Sequence, residues 1–179
     1  MRNVEIFNTP ELLARSAADA IVRCAEDAKR SRGCFSLALC GGETPLKLYS
    51  LLASADYSKR LDWSSVHLFW GDERCVPPAH PESNYRAARE LLLDRLPLPA
   101  GNIHRMRGEL DPAVAADLYE AELSHFFRTG KGVMRPPRFD LLLLGMGADG
   151  HTASLFPGTA PLRERSRWVI AHYVDPRRG

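Results

Sequence analysis

Three apolar runs, "CFSLALC" (34–40), "VHLFW" (66–70) and "FDLLLL" (139–144), each pass directly into a polar, glycine-bearing motif: "GGETP", "GDERCVPPAHPESNY" and "GMGADGH". Between them lie segments whose apolar residues recur at helical spacing. This alternation predicts an α/β fold, with a mostly parallel sheet and helices on both faces. In such a sheet the C-terminal strand ends share one edge, where open α/β folds bind ligands. The three motifs are therefore expected to build a single site.

The remaining elements follow from local signals. "VEIF" (4–7) reads as a short strand. "TPELLARSAADAIVRCAEDAKRS" reads as an amphipathic helix, with Thr9 as its cap and Pro10 in the first helical position. Thr44 is expected to cap a second helix, "PLKLYSLLA". A third helix is predicted from about Ser83 to Leu93, and a fourth from Asp111 and Pro112 to about Phe127. The glycine and proline cluster "TGKGVMRPP" closes the fourth. "RWVIAHY" (167–173) is the last strand candidate.

At 179 residues the chain suits one domain with a substantial core. A formal net charge of +2, with no Lys/Arg block and no basic stripe interleaved with aromatics, gives no basis for nucleic acid binding. The N-terminus lacks a secretory pattern, and no apolar run approaches a membrane span. Cys24, Cys34, Cys40 and Cys75 show no CxxC pairing and no histidine at metal-ligand spacing, so they read as free thiols in a reducing cytoplasm, with no metal site.

Gly145, Gly147 and Gly150 fit the GxGxxG spacing of dinucleotide-binding turns. That turn must open a long helix, and it normally sits in the first strand-turn-helix unit of its domain. Here Pro157 follows soon after, and the motif lies late in the chain. A nicotinamide-dependent oxidoreductase is therefore disfavoured. What remains is Asp149, Gly150 and His151 presented at a strand end. His151 is the best candidate for proton transfer, since imidazole titrates near neutral pH and Asp149 can orient it; a structural histidine is the alternative. No GxSxG elbow or HExxH zinc pattern accompanies it.

In the second motif, Arg74 can clamp a phosphate or carboxylate in two-point geometry, or form a salt bridge within its own loop. Asn84 can act as a cap or as a ligand contact. Gly41, Gly42 and Thr44 suit an anion at a helix start, or a plain tight turn. His67, His104, His125 and His172 read as structural or surface residues, and His80 as part of a turn.

With "GGETPLKLYSLLA", "FWGDERCVPPAHPESNYRAARELLL" and "FDLLLLGMGADGHTASLFPG" in this order, the sequence resembles the 6-phosphogluconolactonase family, of the superfamily that includes glucosamine-6-phosphate deaminases. "DER" and "GHTASLFPG" look like the lactonase branch. The resemblance implies a Rossmann-like open sandwich that hydrolyses 6-phospho-D-glucono-1,5-lactone to 6-phosphogluconate, in the oxidative pentose phosphate pathway, without a cofactor. It makes His151 the base that activates water, oriented by Asp149. Arg74 and Asp72 position substrate and stabilise developing charge, while Gly41, Gly42 and Thr44 hold the 6-phosphate. Asn84 and Gly150 complete the substrate-binding set.

Cys40 and Glu43 stand where the family usually carries small hydroxyl residues. The family pattern also continues past "YVDPRRG", so residues 1–179 are expected to form one lactonase domain without its C-terminal part, either a monomer or, through a bare sheet edge, a weak homo-oligomer. The expected partner is a small sugar phosphate in the cytoplasm, with no nucleic acid and no membrane. The alternatives are an isomerase or deaminase of the same superfamily, and a non-catalytic sugar-phosphate binding protein.

Overall fold

The computed structural model describes residues 4–128 and 136–174. Three parallel strands form its sheet: β1 (Phe35–Leu39), β2 (Val66–Trp70) and β3 (Leu141–Leu142), in the order β2-β1-β3. β1 runs in register with β2 from Phe35 opposite Val66 to Leu39 opposite Trp70, and pairs with β3 through Leu37 and Ala38. All five residues of β1 are buried, as expected for a central parallel strand covered on both faces.

Strand periodicity divides the core in two. Phe35, Leu37 and Leu39 of β1, with Val66, Leu68 and Trp70 of β2, pack among the buried residues of helices α1 (Pro10–Arg32), α2 (Thr44–Leu52) and α3 (Asn84–Leu91). Ala38 and Phe69 point the other way, against Tyr119 and Leu123 of helix α4 (Pro112–Phe126). The sequence-level fold class therefore holds, with helices on both faces.

Local chemistry sets most of the helix ends. Thr9 accepts from the Leu12 amide at 3.2 Å, and α1 stops at Gly33, whose φ of 80° a side chain would resist. Asp111 accepts from the Ala113 and Val114 amides and so caps α4. Ser83 caps α3 through the Arg86 amide. α2 departs from expectation. Its cap position is Glu43, which makes no side-chain cap bond, and Thr44 is already its first helical residue.

Residues 4–7 form no strand: Val4 is 80% and Ile6 91% exposed. A strand exists only where a neighbour takes its backbone hydrogen bonds, and the outer edge of β2 is already occupied. There the His104 amide donates to Leu68 O at 2.8 Å, Asn102 Nδ2 donates to Val66 O, and Tyr119 Oη both accepts from Trp70 N and donates to Trp70 O. "FDLLLL" pairs as a strand only at Leu141 and Leu142. "RWVIAHY" forms no strand either, because the Trp168 and Val169 amides donate to the Glu120 carboxylate. The cluster at 129–137 lies mostly outside the described residues. No described helix is long and apolar enough to cross a membrane.

Candidate active site

The three motifs converge at the C-terminal edge of the sheet around a cleft of about 380 Å³. Gly41, Gly42 and Thr44 line it from the loop after β1, Asp72 and Arg74 from the loop after β2, and His151 from the loop after β3. Asn84, the first residue of α3, closes the wall between the first two loops.

His151 is held on three sides. Its Nδ1 lies 2.6 Å from Asp149 Oδ1, and the same oxygen accepts from the His151 backbone amide at 3.1 Å. These two interactions, the amide bond first, hold the Asp149 carboxyl below the usual carboxylate range. An ionised Asp149 facing Nδ1 requires the proton of a neutral ring to sit on Nδ1, so Nε2 carries the free lone pair. The Phe156 ring stacks on the imidazole at 4.2 Å between centroids. On the remaining side Gly147 approaches so closely that a Cβ there would overlap the ring. The turn closes through Gly150, in the left-handed region at φ 83°, whose amide donates to Gly147 O at 3.0 Å. Asp149 and Gly150 shape the turn and do not line the cleft.

Arg74 makes no ion pair within its loop, the alternative left open by sequence. Its Nη1 donates to Glu82 O and Asn84 Oδ1, both at 2.8 Å, and its other guanidinium nitrogens have no bonded partner among the described residues. The neighbouring Glu73 turns the other way. Its carboxylate accepts from the Arg74, Asn84 and Tyr85 amides and from Ser83 Oγ, which ties the loop to the start of α3.

Asn84 is 3% exposed and its amide is engaged by the protein: Nδ2 donates to Asp72 O and Oδ1, while Oδ1 accepts from Arg74. Gly41 lies against it with no room for a Cβ. Ser154 Oγ donates to Asp72 Oδ2 at 2.7 Å and links the His151 loop to the Arg74 loop. The contacts made by Ser154, Phe156, Glu73 and Gly147 were not legible in the sequence, because spacing does not encode them. Cys40 also lines the cleft, and burial pushes its thiol up, away from the reactive thiolate. Among the described residues no cluster of histidine, cysteine or carboxylate side chains could hold a metal ion.

Residues 8–179 match the family model described as glucosamine-6-phosphate isomerases/6-phosphogluconolactonase. The 6-phosphogluconolactonase of Nostoc sp. is 42% identical over 97% of this chain and 70% of its own length. That of Haemophilus influenzae is 43% identical over 78% of this chain and 57% of its own length, and the plant relatives are matched over about half of theirs. The structure of 6-phosphogluconolactonase from Trypanosoma cruzi superposes with a TM-score of 0.85 at 31% identity, covering 99% of this chain and 71% of that one. A monomeric glucosamine-6-phosphate deaminase shares the fold, with a TM-score of 0.74 at 20% identity. The chain, in which His151, held by Asp149, lines the same cleft at the strand ends as Arg74, belongs to the 6-phosphogluconolactonase family.

Proposed function

We propose that this cleft hydrolyses 6-phospho-D-glucono-1,5-lactone to 6-phosphogluconate. The observation that carries the reading is the oriented Asp149–His151 pair, with Nε2 free, in the same cleft as a guanidinium that has unspent donors. His151 Nε2 takes a proton from water as the water oxygen bonds to the lactone carbonyl carbon. The carbonyl becomes an oxyanion, and Arg74 is the donor placed to stabilise that charge. Collapse breaks the bond to the ring oxygen, which leaves with the proton held on His151. The product acid then loses its own proton to solvent. Asp149 keeps the imidazole in the required tautomer and stabilises the imidazolium between the two steps.

The 6-phosphate lies against Gly41, Gly42 and Thr44, where the Gly42 and Thr44 amides have no bonded partner among the described residues and the start of α2 favours an anion. Asp72 and Asn84 hold the Arg74 loop in place, and Gly150 supplies the turn that carries His151. Relatives that are 6-phosphogluconolactonases support the substrate, and the likeness covers most of this chain. The test is lactone opening on freshly made substrate, with spontaneous hydrolysis subtracted, for the chain and its His151→Ala variant. Loss of a general base predicts a rate about a hundredfold to ten-thousandfold lower. An unchanged rate in the variant would remove His151 as the base.

A further inference from the structure

The opposite edge of the sheet carries a second cleft, lined by Arg32, Arg128, Arg138, His125 and the Phe126–Phe127 pair. It opens beside the start of β1, through Cys34 and Ser36, whereas the candidate active site opens beyond the ends of the same strands. Three guanidinium groups here face one carboxylate, Asp140, and that carboxylate is already engaged. Its Oδ2 accepts from Ser36 N and Oγ at 2.8 and 2.9 Å, and its Oδ1 is paired with Arg32. Arg128 and Arg138 have no carboxylate partner among the described residues. The cleft thus concentrates an excess of two positive charges, as much as the formal net charge of the entire chain.

A second observation concerns the backbone. α4 ends with Phe127 as its cap, and Arg128 follows in the left-handed region at φ 51°. Glycine is the usual residue there, because a Cβ is resisted in that conformation. The Phe126 and Phe127 rings, 4.9 Å apart between centroids, are locked into the aromatic cluster formed with Phe69 and Phe139 and give the cleft a rigid apolar wall. At about 640 Å³ the cleft falls within the size range of small-molecule sites.

We infer that this cleft binds a small phosphate-bearing anion, with the phosphates on Arg128 and Arg138 and any sugar or base against Phe126 and Phe127. Guanidinium groups suit phosphate oxygens because their planar donors can meet two at once. The inference does not rest on the lactonase reading, and its readout is binding.

Isothermal titration of the full chain with inorganic pyrophosphate and, separately, ADP tests it. Both probes are expected to bind, and both to weaken about tenfold or more in Arg128→Ala/Arg138→Ala, since each lost charged hydrogen bond is worth about that much. An Arg128→Lys/Arg138→Lys variant should recover part of the affinity, and Thr44→Glu, which sets a carboxylate against the phosphate position of the other cleft, should titrate like the parent. Tighter binding of ADP than of pyrophosphate would place the base or sugar on the aromatic wall; equal affinities would restrict recognition to the phosphates. No heat with either probe, or equal affinity in the double alanine variant, would overturn the inference. So would loss of binding in Thr44→Glu alone, because the phosphate would then occupy the other cleft.

Discussion

Gly147 illustrates how a single missing Cβ can position a catalytic group. Its backbone lies against the His151 ring, while its amide donates to His151 O at 2.9 Å. Gly147→Ala should drive the imidazole away from Asp149 and leave the core untouched. A misplacement of about 1 Å costs on the order of a hundredfold in rate. We therefore expect lactone hydrolysis to fall by about that factor with the melting temperature nearly unchanged; a wild-type rate would mean that the ring tolerates the shift. The GxGxxG spacing was legible in the sequence, and Pro157 argued correctly against a long helix after it. The steric role of the second glycine was not legible, because it depends on where a side chain four residues later folds back.

At the scale of elements, α3 and the loop after β2 form one unit. Ser83 announces the start of α3 in the sequence, and it does cap that helix. Glu73 contributes as much from ten residues earlier, by accepting from two amides of the first turn and from Ser83 Oγ. Glu73→Gln replaces one accepting oxygen by an amide that can only donate. A loss of about 2 kcal/mol is expected from the charged hydrogen bonds, read as a lower urea midpoint. Activity should fall further than stability explains, since Arg74 and Asn84 hang on the same loop. A variant with the parent midpoint would show that α3 starts without this carboxylate. The strand candidates fared unevenly for a related reason. "CFSLALC" and "VHLFW" each find a full partner, while the apolar patterns at 4–7 and 167–173 find none. Apolar alternation states that a segment can form a strand, and only a neighbour's unpaired edge makes it one.

For the whole molecule, the sheet divides the core so that Phe69 carries much of the α4 side. It is fully buried, stacks on His104 at 4.3 Å between centroids, and meets Phe126, Phe127 and Phe139. Phe69→Ala should cost about 3–5 kcal/mol, measured by denaturant unfolding. Val4→Ser, at a position the sequence suggested as a strand, should stay within about 0.5 kcal/mol because that side chain is exposed. A small loss at Phe69 would mean that α4 docks loosely. Burial beneath α4 also pushes His67 below the usual histidine range, since the ring loses water and sits 3.1 Å from His104. The sequence by itself determined the α/β class, the order of the four helices, and the three loops that converge at one edge. Each of these follows from local periodicity, capping residues and glycine placement, which short segments carry whole. The tertiary structure alone decided which apolar runs became strands, how Asn84 and Ser154 bind the loops together, and how Arg32 comes to share one cleft with the sequence-distant Arg128 and Arg138. Those outcomes depend on which surfaces meet across the fold, and no local pattern specifies that.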